Sequence, residues 1–383
     1  MGRCAAVKNQ WRGDAGMRAL SVYFHVPFCR SRCGYCGFYS GCDLSLREPY
    51  TAALVRAVET APAADREVRT VYFGGGTPTL LGAGLVTVLE AVRRRWQVAA
   101  DAEITTEANP NTVTPELLGT LRAAGFNRIS FGLQDCEDKM LRLLGRGHTA
   151  AEGEAAVAMA KAAGFKNISV DFMLATPGQT PEKAERLARY GLSLGVPHLS
   201  SYLLKIEEGT PFARGGMAAR CPDEDTAADC YFAYYKVLED AGYRHYEISN
   251  AALPGYESRH NTVYWRLGDY LGIGPGAASC YEGRRFRFRE DMTQFLTAEK
   301  VWTLPEDDGA GGDWEEALML ALRLAEGLTP ALAARYGQNY AMLLRRAEPL
   351  RKAGLLRADG ERIALTDRGF LLSNSIILAL LGD

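Results

Sequence analysis

The chain has almost no net charge: 44 basic against 46 acidic residues among 383 leave a formal value of −2. No electrostatic footprint for nucleic acid or an anionic membrane stands out, so polyanion binding is not expected. No apolar run reaches the roughly 18 residues that a membrane-crossing helix needs, and no integral membrane segment is expected. The first twenty residues also lack the apolar core of a signal peptide, so the expected location is cytoplasmic. A disulfide framework is missing too. The nine cysteines are odd in number and mostly scattered through apolar segments, the pattern of a reducing compartment. With 47% apolar and 23% charged residues, the chain can bury one large core and a smaller second one.

Short β-rich runs recur at 20–26, 70–74, 102–106, 128–133, 168–174 and 198–205, with helical patterns between them near 49–61, 82–95, 115–124, 137–144, 150–163 and 182–194. Thr114-Pro115-Glu116 supplies an N-cap followed by proline at the first helical position. Such alternation implies parallel strands with helical crossovers, and six units fall short of the eight of a closed barrel. The fold class expected is therefore α/β: a partial, open (β/α)6 barrel over 20–305, preceded by an extension at 1–19. Residues 223–242 read as a long helix and 243–290 as weak strands. The Gly/Asp-rich stretch 306–313 reads as a linker. Beyond it, 314–383 reads as three helices, a hairpin turning at Asp359-Gly360 and a last helix from Asp367, a smaller winged-helix-like α+β domain. From Asp313 onward nine Lys/Arg balance nine Asp/Glu, which favours packing or partner docking over DNA binding.

The chemistry concentrates directly after the first strand, at Cys29-Arg-Ser-Arg-Cys33-Gly-Tyr-Cys36. Spacings of three and two residues let a tight loop wrap three thiolates around one metal centre. An electron-transfer cluster normally takes four cysteines, so three leave one iron without a protein ligand and open to a substrate or cofactor. The alternative is a zinc knot completed by His25 or Cys42.

In a barrel of this kind the strands' carboxyl ends converge over one mouth. There the sequence places Gly74-Gly75-Gly76-Thr77-Pro78, where bare backbone can approach a ligand, or simply turn tightly. It also places Glu107 with Asn109-Pro110, Gln134, and Asp171 inside an apolar strand where an acid needs a partner. Arg146 offers a cation for a ligand carboxylate, or a surface ion pair. His260 stands in an aromatic loop, bonded to backbone or free to serve as a ligand.

These motifs resemble those of the radical S-adenosylmethionine (SAM) superfamily, whose hallmark is Cys-x3-Cys-x2-Cys after the first strand of a partial barrel. More narrowly, Tyr23-Phe-His25-Val-Pro27-Phe-Cys29, GGGTPT at 74–79, EANP at 107–110 and LGRGHT at 144–149 resemble the oxygen-independent coproporphyrinogen III oxidase group, from about residue 20 to the C-terminus. That group has a porphyrinogen-dehydrogenase branch and a heme-chaperone branch. The first carries one more cysteine, where this chain has Phe38. The second carries His-Asn-x-x-Tyr-Trp, found here as His260-Asn261-Thr262-Val263-Tyr264-Trp265. YEISN at 246–250, PGYESRHN at 254–261 and GDYLGIGPGA at 268–277 point the same way. Two departures are visible: Ala278 stands where that branch usually has histidine, removing one heme or substrate contact, and Asp135-Cys136 replaces the commoner Ser-Phe, which we read as local packing.

The resemblance implies a 4Fe-4S cluster on Cys29, Cys33 and Cys36, and SAM held by Tyr23, Gly75, Gly76, Thr77, Glu107, Gln134, Arg146 and Asp171. It also implies heme with His260 as an axial iron ligand, and delivery to a hemoprotein acceptor. Three readings follow: a heme chaperone on a radical SAM scaffold, a coproporphyrinogen III dehydrogenase, and a non-catalytic zinc or DNA-docking module. Whether the chain is an enzyme stays open at this stage.

Overall fold

The computed structural model describes residues 18–382, so the expected N-terminal extension lies outside the described residues except for Arg18 and Ala19, which open the first strand. Six strands, β1 (Arg18–Val26), β2 (Arg66–Gly75), β3 (Gln97–Ala108), β4 (Arg128–Gln134), β5 (Asn167–Leu174) and β6 (His198–Leu203), pair in parallel in sequence order. Each lies within a few residues of its predicted span. Thr114 caps its helix with proline in the first turn, as the sequence led us to expect; Thr180 does the same for a later crossover helix, and Thr149 forms a capping box with Glu152. Phe24, Phe73 and Phe126 stack between sheet and helices, buried completely.

The sheet runs well past the six units. Beyond β6 lie β7 (Arg244–Glu247) and β8 (Asn250–Ala252), with β8 antiparallel to β6. On the other side β9 (Tyr270–Ile273) joins β1 in parallel, followed by antiparallel β10 (Ala278–Tyr281), β11 (Arg284–Arg287) and β12 (Glu306–Ala310). The resulting order is β12-β11-β10-β9-β1-β2-β3-β4-β5-β6-β8-β7, a barrel left open between its edges.

One expectation is corrected. The stretch 306–313 is not a linker throughout: Glu306–Ala310 is the edge strand β12, because its acids face an arginine-rich neighbour. Arg284 pairs with Asp307, Arg287 with Asp308 at 3.5 Å, and Arg289 with Glu306 at 2.5 Å. Acid-rich composition suggested a loop; opposite charge across the strands made it a sheet edge.

The C-terminal unit has the expected order of helices, Trp314–Ala321, Pro330–Arg335 and Tyr340–Lys352, a hairpin of Leu356–Ala358 with Ile363–Leu365, and helices from Asp367, around its own apolar cluster. It joins the barrel through backbone bonds from Ile248 N to Arg323 O and from Ala325 N to Tyr246 O. His245 Nδ1 adds a contact to Asp367 Oδ1 at 2.9 Å.

Glu247, at this seam, is fully buried; its Oε1 accepts from Ser249 N and the Asn250 amide, while Oε2 has no partner. Burial pushes its pKa up to about 7, so the fold favours the neutral acid. The stability it contributes is complete below its unfolded pKa and is lost as pH rises through about 7. Glu247→Gln keeps the accepting oxygen without the charge. It should raise the thermal midpoint at pH 8, by a free energy on the order of 2 kcal/mol, and do little at pH 5; melting curves at both pH values check this.

Candidate cluster and cofactor site

β1 ends at Val26, and the cysteine loop follows across the mouth formed by the other strand ends. Two straps hold it. Cys29 N donates to Gly41 O at 2.9 Å and Gly41 N to Pro27 O at 2.8 Å, closing the loop on itself. Gly76 N and Thr77 N donate to Val26 O and Phe28 O at 2.9 and 2.7 Å, tying the loop to the end of β2. A Cβ on Gly76 would stand 2.7 Å from Phe28 O, so this approach of two backbones requires glycine. The glycine run therefore first positions the cysteines; its Gly75 N–H faces Glu107 instead.

The third support is the end of the helix Asp138–Leu144. Gly145 caps it in the left-handed region, with φ of 79°, and lies against Cys33, while Gly34 N donates to Leu144 O at 3.2 Å. Arg146 follows. Expected to grip a ligand carboxylate, it points its Nη1 at Cys33 Sγ, 3.4 Å away, and its Nη2 at Gly132 O and Asn109 Oδ1. Asn109 Nδ2 in turn donates to Thr77 Oγ1 at 2.8 Å, and Thr77 Oγ1 lies 3.7 Å from Cys29 Sγ. A continuous polar strap thus runs from one thiol to another through the ends of β2 and β3 and the loop after the helix Asp138–Leu144. Only its end members were singled out as cofactor contacts; Asn109 had been noted in the EANP run without a role.

Inside the mouth, Glu107 accepts from Tyr72 Oη at 2.7 Å and from Gly75 N at 3.1 Å. Burial, opposed by the Tyr72 bond and reinforced by the charge of Asp171, pushes its pKa up to about 7. Asp171 accepts from Ser130 Oγ at 3.0 Å, and burial raises its pKa as well. Tyr23 stacks on Tyr72 with 6.1 Å between ring centres and its Oη donates to His25 Nδ1 at 3.1 Å. Gln134 ends β4 with φ of 73°, strained for a residue with a side chain, and its buried Oε1 has no partner. Sequence reasoning missed two lumen residues, Tyr72 and Arg128. Arg128 is 2% exposed, its Nε without a partner, and its charge acts on Asp171 and Glu103. Each sits inside a strand run, where only a strict inward alternation could have marked it.

His260 is placed differently from the expectation. It is fully buried in the helix Arg259–Trp265, which closes the barrel from its other end; the backbone N–H groups of Arg259 and His260 both donate to the Glu103 carboxylate. Thr70 Oγ1 donates to Ser21, so it accepts the Nδ1 proton of His260 at 2.7 Å, and Nε2 accepts from Tyr264 Oη at 2.7 Å. Burial and the charge of Arg128 lower its pKa to about 3. In this arrangement the ring offers iron no free lone pair, and axial ligation of heme by His260 does not fit the geometry. Ala278 opens β10 at the surface, and Cys136 packs against the main core, as local packing would have it.

The donor set suits an iron–sulfur cube: three soft thiols on one strapped loop, a guanidinium beside one of them, and buried, unpartnered polar atoms on Gln134 and Arg146. A mononuclear zinc knot is not assembled. Among the described residues no three His, Cys, Asp or Glu side chains gather to hold one metal ion. His25 has both nitrogens engaged, by Tyr23 Oη and Tyr39 O, and Cys42 is exposed. A cube bears its thiolates on separate irons and spreads them more widely than one ion does.

Fold and site together are those of a radical SAM protein. The model of the Radical SAM superfamily matches residues 23–191, and that of the HemN C-terminal domain matches 313–372. The structure superposes on coproporphyrinogen III oxidase (HemN) from Escherichia coli with a TM-score of 0.81 at 24% identity, covering 95% of this chain and 90% of that one, a likeness of fold. The heme chaperone HemW of Mycobacterium tuberculosis (strain H37Rv) is 39% identical over 378 residues, 95% of each chain. Heme chaperone HemW of Escherichia coli (strain K12) is 42% identical over 263 residues, 67% of this chain and 69% of that protein. The chain belongs to the HemW family of the radical SAM superfamily.

Proposed function

We propose that this chain is a heme chaperone that carries a 4Fe-4S cluster on Cys29, Cys33 and Cys36, binds SAM at the cluster's open iron, and delivers heme to a hemoprotein. The observation that carries this reading is the 39% identity, along 95% of both chains, to a protein named heme chaperone HemW. Supporting it, His260 to Trp265 keeps His-Asn-x-x-Tyr-Trp, and Phe38, which is 67% exposed, stands where the dehydrogenase branch has its extra cysteine.

When bound, the cluster would supply one-electron chemistry and a Lewis-acidic iron for the cofactor's amino-acid end. The chain's own residues do the rest. Thr77, Asn109 and Arg146 tie Cys29 to Cys33, so the thiolates meet the cluster with little reorganisation. Glu107 and Asp171 are acceptors for a cofactor ammonium, Gln134 has an unpaired amide oxygen, and Tyr23 with Gly75 and Gly76 bounds the mouth.

Titration of the reconstituted chain with hemin under anaerobic conditions tests the reading. One saturable Soret change per chain is expected. Uptake that never saturates would sink the chaperone reading. Release of protoporphyrinogen and deoxyadenosine from coproporphyrinogen, SAM and reductant would favour the dehydrogenase instead.

A further inference from the structure

One cavity lies far from the cysteines. It has a volume of about 780 Å³ and lies at the amino ends of β1 and β2, between the barrel floor and the C-terminal unit. Leu20, on its wall, and Val26, at the mouth, are six steps apart along β1, a span of about 20 Å. Its inner wall is the outward face of the helix Arg259–Trp265, through Thr262, Val263 and Arg266. Thr70 belongs to both compartments, since it lines the cavity and receives the Nδ1–H of His260. The His-Asn-x-x-Tyr-Trp segment is thus a partition: His260 and Tyr264 sit on the lumen side, and Thr262 and Val263 between them line the cavity.

The charges are unequal in their engagement. The acids on the wall are mostly occupied: Asp269 holds Arg66, Glu326 holds Arg266, and Glu257 accepts from Gly255 N, which leaves Glu239. Three arginines, Arg244 from β7 and Arg357 and Arg362 from the C-terminal hairpin, are exposed and form no ion pair among the described residues. A cavity of this size, partly apolar and with guanidinium groups entering from two structural units, suits a rigid amphiphile with more than one carboxylate.

We propose that this cavity is the tetrapyrrole site, with Arg244, Arg357 and Arg362 receiving the propionates and the helix Arg259–Trp265 forming the wall beneath the ring. The proposal rests on the heme-carrying reading above and deepens it. Cargo and cofactor then occupy opposite ends of the barrel with His260 between them, and the anchor is the carboxylates and not the iron. Both units clasp the same ligand, so binding also braces the seam at Ile248 and Ala325.

The test is hemin titration of the full chain and of the double variant Arg244→Glu/Arg357→Glu, with Arg93→Glu, in the helix Gly84–Arg95 and not on the cavity wall, as control for charge. The double variant should bind at least about tenfold more weakly while the control stays within about twofold, and the wild-type affinity should fall as salt is raised. Metal-free protoporphyrin IX should compete with hemin, whereas its dimethyl ester should not. Thr262→Phe, which narrows the cavity without altering charge, should also weaken binding. Saturable binding that is indifferent to the arginine and Thr262 substitutions, or metal-free porphyrin that fails to compete, would overturn this site and leave the chaperone reading intact. Absence of saturable binding in the wild type would remove that reading itself.

Discussion

Alanine at Cys33 is expected to abolish cluster assembly. After anaerobic reconstitution the variant should hold less than about one-tenth of the wild-type iron and show no visible charge-transfer band, and Cys29→Ala and Cys36→Ala should match it, because a three-thiolate site has no spare ligand. The geometry makes a finer distinction. Arg146→Ala removes the cation 3.4 Å from Cys33 Sγ but no ligand, so that variant should still assemble a cluster, with its reduction potential moved downward as the anionic centre loses its counter-charge. Iron analysis and a redox titration separate the two cases. Equal loss of iron in all four variants would mean that Arg146 props up the loop and does not tune it.

The second large effect concerns Glu107 and pH. Its pKa is pushed up to about 7, chiefly by burial, and only its ionised form accepts two hydrogen bonds and a cofactor ammonium together. The affinity for SAM in wild-type protein should therefore fall about tenfold per pH unit below 7 and level off above it. Glu107→Gln should bind SAM about 10- to 100-fold more weakly at pH 8, since a charge-assisted bond is replaced by a neutral one, and its profile should lose the step near 7. Equilibrium dialysis across the pH range distinguishes these outcomes. A step that survives in Glu107→Gln would transfer the titration to Asp171, whose carboxyl is raised by the same burial.

Much of the architecture could be read from the chain because its signals are local. Each of the six strands contains a short β-rich run, and three of the crossover helices start at a Thr cap, Thr114, Thr149 and Thr180. The cysteine loop is legible for the same reason: its spacing lies within eight residues. What escaped the sequence depends on pairings far apart in the chain. β12 looked like a loop until the arginines of β11 faced its acids. The strap through Asn109 joins residues from 29 to 146 that no window brings together. His260 is the clearest case. Its motif marked it for iron, but burial and the two hydroxyls of Thr70 and Tyr264, contributed by β2 and by its own helix, turned the ring into a structural partition. The sequence can name a histidine; only the fold decides whether its nitrogens are free.

Iron and acid-labile sulfide analysis of anaerobically reconstituted protein, followed by electron paramagnetic resonance of the reduced sample with and without SAM, is the most direct measurement. About four irons and four sulfides per chain, with a signal that changes shape on adding SAM, are predicted. Zinc without iron, or a four-iron signal indifferent to SAM, would contradict a cluster with one open iron at this mouth.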